Sequence, residues 1–181
     1  IQENSFSYDI KPIRNEELDW INKNNIVPNE DHELEIQVNI DKFLNTVIKK
    51  ISPKNILLFD YGYEQANREK RKYNSLLRTY KNHHLSVDPI EDPGNIDITY
   101  DVNFSSLSRE LKTLGYDVTL KLQRNFLLEN GFDIIFDELQ EKYLVADGME
   151  KLKINSELNG LKAIVDLNGL GGFYCLNAQK L

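Results

Sequence analysis

The chain has 181 residues, and its 22 Lys and Arg against 29 Asp and Glu give a formal net charge of −7. This acidic balance argues against a nucleic-acid partner, because neutralising phosphate groups requires a basic surface. The single cysteine, Cys175, excludes an intrachain disulfide, and no apolar run approaches the roughly 20 residues that span a bilayer, so we expect a soluble intracellular protein with no membrane partner.

The first fifty residues predict a strand, two helices and an acidic loop. Apolar side chains alternate in "SFSYDI", which predicts a strand with one buried face over residues 6–10. "NEELDWINKN" predicts a short helix with Leu18 and Ile21 packed inward, and "VPNEDHE" predicts a loop. "NIDKFLNTVIKKISP" has apolar residues at helical spacing over residues 40–51, and Pro53 ends that helix.

The stretch "ILLFDYGY" predicts a buried strand that ends in polar residues. Residues 56–59 are apolar on both faces, and Asp60, Tyr61 and Gly62 follow them directly. Open α/β sheets bind ligands at the carboxyl ends of their strands, so Asp60 is a candidate ligand-binding residue. The alternative is a structural role, in which Asp60 caps the next turn and Gly62 supplies a positive φ.

Beyond this strand, the sequence predicts a partly helical segment over residues 64–80 and a loop over "HHLSVDPIEDPGNIDITYDV". "SSLSRELKTLG" predicts a helix that Ser105 or Ser106 caps and Gly115 ends. "YDVTLKLQ" alternates as a strand does.

The last fifty residues predict helices followed by a pair of strands. "RNFLLENG" predicts a helical turn closed by Gly131, and a polar helix covers residues 133–158. We expect two strands, residues 162–167 and 173–177, joined by a glycine turn as an antiparallel pair at the sheet edge. The sequence therefore predicts an α/β fold in which residues 1–181 form a single unit.

The metal-ligating residue types are too scattered to predict a metal site. His83 and His84 are adjacent and point to opposite sides of an extended segment, while His32 and Cys175 lie far away in sequence. The acidic run "DPGNIDITYDVNF" lacks the closing Glu of a calcium loop. "NGLGGF" has no helix after it, so we interpret it as a turn and not as a phosphate-binding loop.

The order of these segments resembles the MidA-like family of S-adenosylmethionine-dependent methyltransferases. The resemblance runs over about residues 5–177 and is strongest in "ELEIQVN", "LLFDYGY", "LLRTYKNHHLSVDPIEDPGNIDITYDVNFSSL" and "LQRNFLLENG". The chain departs from the family pattern at Asn103, where the family usually has Asp, and at Ser75 and Leu76, where it usually has Gly-Thr.

The resemblance implies part of a class I (Rossmann-like) methyltransferase sheet, with S-adenosyl-L-methionine as cofactor and a protein as substrate. The family's glycine-rich cofactor loop has no counterpart here, because no glycine precedes Gly62. We therefore expect the C-terminal, acceptor-side half of the domain, associating with the missing half or with a second copy. The chain begins with Ile1 and not Met, which leaves open a processed product or part of a longer polypeptide.

For the mitochondrial relative, an assembly factor of respiratory complex I, the acceptor is an arginine, and carboxylates bind guanidinium groups well. The resemblance implies catalytic roles for Asp60, Tyr61, Asp97 and Asp101, and substrate-positioning roles for Gly62, Arg78, His83, Thr99 and Gln123.

Two further readings remain open. The main alternative is a non-catalytic assembly or interaction module derived from the family, which the departures at Asn103, Ser75 and Leu76 favour. A metal-dependent hydrolase using His83 and Asp97 is a third possibility. The expected compartment is the bacterial or archaeal cytoplasm or the mitochondrial matrix.

Overall fold

The computed structural model describes residues 6–27, 35–70, 76–82, 84–86 and 88–181. They form an α/β protein that divides into two compact units, each built from two segments of chain. Unit 1 comprises Ile1–Ile51 and Tyr63–Leu107, and unit 2 comprises Ser52–Gly62 and Ser108–Leu181. That the whole chain behaves as one domain stays a prediction. The predicted loop "VPNEDHE" lies almost wholly outside the described residues.

The helical segments of unit 1 begin with a well-capped helix. They are α1 (Asn15–Lys23), α2 (Ile40–Phe43), a π-helical turn (Leu44–Ile48), α3 (Lys49–Ile51) and a 3₁₀ turn (Gln65–Lys70). The Glu17 carboxylate accepts hydrogen bonds from the backbone and side chain of Arg14, at 2.6 and 2.8 Å, which satisfies the start of α1. Trp20 and Ile21 are buried, whereas Leu18, predicted to pack inward, is largely exposed.

Two predictions for unit 1 need correction. Residues 6–10 form no strand, and Phe6, Tyr8 and Ile10 are exposed, because no described strand pairs with this segment. The Tyr8 hydroxyl instead donates to Asp88 at 2.9 Å. The helix predicted over residues 40–51 is present, but the π turn shifts its register, so its periodic apolar face is not buried as a whole.

The loop predicted over residues 83–102 contains strands, and a further strand begins within the segment predicted to be partly helical over residues 64–80. In the described part of unit 1, β3 (Leu77–Lys81) lies between two antiparallel partners, β4 (His84–Ser86) and β5 (Asp97–Tyr100). A two-stranded ladder joins β2 (Gly62–Tyr63) and β6 (Val102–Asn103). The sequence hides these strands because they are short and the segment between β4 and β5 is rich in turn-forming residues.

The sheet of unit 2 has an antiparallel strand at its centre. It contains three strands, listed in chain order: β1 (Asn55–Asp60), β7 (Tyr116–Leu122) and β8 (Tyr174–Lys180). Their order is β1-β8-β7, and β8 is antiparallel to both neighbours, so β1 and β7 run parallel to each other. The predicted C-terminal edge pair is therefore wrong, because β8 inserts between two earlier strands.

Strand β1 was predicted to be buried and is instead an edge strand of this sheet. Ile56 is buried, but Leu57, Leu58 and Phe59 are 49%, 40% and 41% exposed. No described strand pairs with the outer side of β1. The apolar run correctly predicted a strand. Burial of its side chains would require packing partners that the described residues do not supply.

The described part of unit 2 contains three complete helices and most of a fourth. They are α4 (Phe104–Thr113), which begins in unit 1, and α5 (Gln123–Glu129), α6 (Phe132–Val145) and α7 (Gly148–Val165). The strand predicted over residues 162–167 is wrong, because α7 continues to Val165 and buries Ile154 and Leu158, one turn apart. A short apolar run such as "LKAIV" is compatible with a strand or a helix, and here the packing of α7 favours the helix.

The glycine turn after α7 is not a hairpin. Leu170–Gly172 forms a 3₁₀ turn that approaches the end of α7 closely. A Cβ atom on Gly171 would lie 2.5 Å from the carbonyl oxygen of Val165 and 2.8 Å from the amide nitrogen of Asp166. Glycine is required here for close approach of backbones, and not for a positive φ.

We predict that Gly171→Ala destabilises the chain and that Gly160→Ala stabilises it. The first change places a methyl group against backbone that cannot move aside easily and should cost about 1–3 kcal/mol. Gly160 lies within α7 and has open space around its missing Cβ, so alanine should gain about 0.5–1 kcal/mol. Urea unfolding followed by circular dichroism measures both changes. Equal effects of the two substitutions would contradict this packing.

Candidate functional site

The carboxyl ends of β1 and β7 meet at one edge of the unit 2 sheet. The register aligns Asp60 with Tyr174 and Tyr174 with Leu122, so these three residues form a row across the sheet. With strands about 4.8 Å apart, β1 and β7 are about 10 Å apart. Tyr61 and Gln123 directly follow the two strand ends, and the sheet thus brings predicted site residues to a single edge.

Asp60 and Tyr61 form a half-buried pair at this edge. One Asp60 carboxylate oxygen accepts the Tyr61 backbone N–H at 2.8 Å, and the Tyr61 ring packs edge-on against Phe173 with centroids 5.7 Å apart. No described Lys or Arg forms an ion pair with Asp60. Gly62 follows and does not have a positive φ, so the alternative in which Gly62 supplies a positive φ is wrong.

Gln123 has a clear structural role. Its backbone N–H donates to Phe173 at 2.7 Å, and its side-chain amide donates to the Ile164 carbonyl at 2.8 Å. The guanidinium of Arg124 donates to the Val165 carbonyl at 3.0 Å. Both side chains thereby satisfy carbonyls at the end of α7, which otherwise lack intrahelical partners. Sequence reasoning missed Arg124, whose position beside Gln123 was the available signal.

In unit 1, Asp101 is fully buried and forms an ion pair with Arg78. The Asp101 backbone N–H donates to Leu76 at 3.1 Å, and its carbonyl accepts from Gln37 at 3.4 Å. Thr99 lies opposite Arg78 in the β3–β5 register and its hydroxyl donates to the Arg78 carbonyl at 3.3 Å. Asp101 therefore does bind a guanidinium group, but that group belongs to this chain.

Asn103 starts helix α4, a role that the sequence assigned to Ser105 or Ser106. The Asn103 side-chain oxygen accepts the Ser106 N–H at 3.0 Å, and its amide donates to the Gln65 side chain at 3.1 Å. The Gln65 backbone N–H donates to the Ser105 hydroxyl at 3.0 Å. These bonds tie the segment after β2 to the start of α4. An asparagine, unlike an aspartate, both caps the helix and donates.

Two tyrosine hydroxyls extend this polar core of unit 1. Burial raises the pKa of Tyr63, an effect that the nearby Arg68 opposes. Burial also raises the pKa of Tyr100, and the proximity of Tyr63 and Glu35 adds to the rise. The Tyr100 hydroxyl donates to the Glu35 carbonyl at 3.1 Å. Both phenols stay protonated at neutral pH and act as hydrogen-bonding groups, not as bases.

The predicted site residues thus fall into two groups, one in each unit. Unit 2 carries Asp60, Tyr61, Gly62 and Gln123, and unit 1 carries Arg78, Asp97, Thr99 and Asp101. Asp97 is exposed at the start of β5, and His83 lies outside the described residues. Among the carboxylates predicted to bind an acceptor, Asp60 alone is both half-buried and unpaired with a cation in the described structure.

The described residues offer neither a metal site nor a cofactor cradle. They contain no group of three His, Cys, Asp or Glu side chains placed to hold a metal ion. None of their strands leads through a glycine turn into an α-helix, the arrangement that binds nucleotide-type cofactors. Burial raises the pKa of the Cys175 thiol to about 11, so Cys175 does not supply a nucleophile at neutral pH.

Comparison with known proteins assigns the family. Residues 1–120 match the family described as "Putative S-adenosyl-L-methionine-dependent methyltransferase". The chain belongs to this family. It is also 38% identical over 77 residues to the mitochondrial protein arginine methyltransferase NDUFAF7 homologue of Caenorhabditis elegans, a match that covers 42% of this chain and 17% of that protein. The resemblance inferred from the motifs is confirmed, as is S-adenosyl-L-methionine as the family's cofactor.

Two solved structures from Burkholderia thailandensis share the fold. One, a candidate methyl transferase bound to S-adenosyl-homocysteine, matches with a TM-score of 0.74 and 21% identity, covering 99% of this chain and 45% of that one. The other, an uncharacterised protein, matches with a TM-score of 0.64 and 24% identity, covering 77% and 36%. The chain thus spans less than half the length of each relative. No helix in its described part is long and apolar enough to cross a membrane.

We predict that Asp101→Ala destabilises the chain strongly, whereas Asp97→Ala does not. Removing one partner of a buried ion pair leaves the other charge uncompensated and typically costs about 3–5 kcal/mol. Asp97 is exposed, so its loss should change stability by no more than about 0.5 kcal/mol. Chemical denaturation at pH 7 measures both values. An Asp101→Ala variant as stable as the Asp97→Ala variant would show that the ion pair does not form.

Proposed function

We propose that this chain forms the acceptor-binding side of a methyltransferase that modifies arginine in a protein substrate. Membership of the S-adenosyl-L-methionine-dependent family supports methyl transfer, and the similarity to a protein arginine methyltransferase supports the acceptor. The fold shared with a candidate methyl transferase that binds S-adenosyl-homocysteine supports its assignment to the later part of a class I (Rossmann-like) sheet.

In this proposal Asp60 binds the acceptor guanidinium. Its carboxylate lies at the carboxyl end of β1, is half-buried and forms no ion pair with a described cation. A carboxylate at such a position can accept two hydrogen bonds from the N–H groups of a guanidinium. This bidentate pairing fixes both the position and the plane of the acceptor group. The Tyr61 ring, held against Phe173, would form a wall of the same site. Asp97 and Asp101 then have lesser roles, because one is exposed and the other is occupied by Arg78.

We predict that Asp60→Asn in the full-length natural protein lowers kcat/KM for arginine methylation at least about 100-fold, which corresponds to about 2.7 kcal/mol of lost transition-state binding. The amide keeps the shape of the side chain but loses the charge that orients the guanidinium. The assay follows a labelled methyl group into protein and identifies methylarginine by mass spectrometry.

Asp97→Asn serves as the control and should retain activity within about threefold, because removing an exposed charge has a small effect. An Asp60→Asn enzyme with normal activity would exclude Asp60 as the acceptor residue. Methylation of lysine, and not of arginine, would overturn the proposed acceptor while leaving the family assignment intact.

We further predict that the 181-residue chain alone does not bind S-adenosyl-L-methionine with micromolar affinity, because its described residues contain no strand, glycine turn and helix in sequence. Isothermal titration should show no saturation below about 1 mM, a free energy weaker than about −4.1 kcal/mol. A micromolar dissociation constant would contradict this and direct attention to the glycine turn at Leu170–Gly172.

A non-catalytic interaction module is the second candidate. The absence of a cofactor cradle from the described residues and the pairing of Asp101 with Arg78 favour it. The proposal for the natural protein also includes a role in respiratory complex I assembly in mitochondria, as the resemblance implies, or a cytoplasmic role in bacteria or archaea. Complementation of a methyltransferase-deficient cell by the Asp60→Asn variant would favour the module, and failure would favour the enzyme.

A further inference from the structure

Helix α7 has an uncharged face on the side that points away from its buried residues. Ile154 and Leu158 are buried on one side of the helix. The opposite side, at 3.6 residues per turn, carries a band roughly 100° wide that contains no charged residue. The band recurs every three or four positions, as the contact face of a paired helix does. This band, the α7 stripe, consists of six exposed residues: Met149, Leu152, Ser156, Asn159, Gly160 and Ala163.

The first turns of the α7 stripe are apolar. Met149 and Leu152 are 81% and 64% exposed. Leu144 and Val145, at the end of α6 and a few positions earlier in the chain, are 77% and 88% exposed. Groups of exposed apolar side chains on a protein surface mark interaction sites. This end of the α7 stripe therefore has the composition of a docking surface.

Helix α6 packs against a different side of α7. The Lys151 ammonium lies 4.8 Å from the centre of the Tyr143 ring, and the Lys162 ammonium lies 6.0 Å from the centre of the Phe136 ring. Both lysines of α7 point roughly a third of a turn away from the centre of the α7 stripe. A partner can therefore approach the stripe without displacing α6.

The order of residues along the α7 stripe is complementary to itself in the antiparallel direction. A twofold axis at Ser156 would place Met149 opposite the partner's Ala163, because both lie seven positions from Ser156. Leu152 would lie opposite the partner's Gly160, because both lie four positions from Ser156. Each large side chain thus meets a small residue, which lets the two helices approach closely. Self-complementarity of this kind is what a twofold dimer requires.

The charges beside the α7 stripe have the same symmetry. Lys153 and Glu157 are exposed and flank the stripe on one side. The twofold axis would bring Lys153 close to the partner's Glu157, and Glu157 close to the partner's Lys153. Neither residue forms an ion pair with another described residue. Charge complementarity therefore favours a second copy over an unrelated partner, which need not match both charges.

We propose that the α7 stripe is a homodimer interface, in which α7 of one copy packs antiparallel against α7 of a second copy around a twofold axis at Ser156. The helix is about 27 Å long, so the contact area falls at the lower end of the range for specific interfaces, and we expect a dissociation constant on the order of 1–10 μM. The proposal does not depend on methyl transfer or on Asp60, so either proposal can fail without the other.

The first test compares Leu152→Glu with Ile134→Glu in the full-length natural protein. Ile134, on α6, is 65% exposed and matches the 64% exposure of Leu152. Analytical ultracentrifugation at up to about 100 μM protein measures the dissociation constant. Leu152→Glu buries an unpaired charge in the dimer and should raise that constant at least about 10-fold, whereas Ile134→Glu should stay within about threefold of the unsubstituted protein. Thermal unfolding checks that both variants fold.

The second test measures the register of the two helices by disulfide crosslinking. Ser156→Cys places one thiol on each side of the twofold axis, where closely packed helices bring facing Cα atoms within the range of about 4.4–6.8 Å that a disulfide spans. Glu150→Cys is the control, because Glu150 lies on α7 outside the stripe. With oxidised glutathione as the oxidant, Ser156→Cys should form a covalent dimer at least about 10-fold faster than Glu150→Cys.

Three results would each overturn the proposal. The first is a full-length protein that stays monomeric at the highest concentration, and the second is a dimer that Leu152→Glu does not weaken. The third is crosslinking of Glu150→Cys as fast as that of Ser156→Cys, which would show that any dimer uses another surface or register.

Discussion

The insertion of β8 between β1 and β7 is the constraint on which the candidate site depends. Because β8 is antiparallel to both neighbours, β1 and β7 point the same way and end at the same edge of the sheet. That edge holds Asp60 and Tyr61 about two strand spacings from Gln123, residues separated by some sixty positions in sequence. Without β8, no ladder of backbone hydrogen bonds would connect the ends of β1 and β7. The hydrogen bond from the Gln123 N–H to the Phe173 carbonyl would also be lost.

Unit 1 adds a network of buried polar groups to its sheet pairing and its buried apolar side chains. The ion pair of Arg78 with Asp101 and the hydrogen bonds of Asn103 connect its short strands and turns. Such a network stabilises only when each member is paired, since an unpaired buried charge or amide is costly. Their ion pair therefore holds Arg78 and Asp101 in place. Asp60 differs from Asp101 in this respect, because its carboxylate has no cation partner among the described residues.

The family assignment and the geometry contribute different parts of the functional argument. The family supplies the cofactor and the class of reaction, neither of which the described residues display. The geometry ranks the carboxylates: Asp60 is placed at a strand end, Asp101 is occupied, and Asp97 is exposed in a short strand. The same geometry leaves the outer side of β1 without a strand partner among the described residues.

Local signals were enough to predict the family, the α/β class, and the existence of α1, β1, α4, β7 and α5, because motifs, apolar periodicity and glycine stops each lie within a few residues. The tertiary structure alone decided that β8 is central, that α7 runs through residues predicted as a strand, and that Asp101 pairs with Arg78. It also decided that Gly171 is needed for close packing. The first three features depend on contacts between elements distant in sequence, and a single sequence encodes no register between such partners. The need for Gly171 depends on how closely the turn returns to Val165.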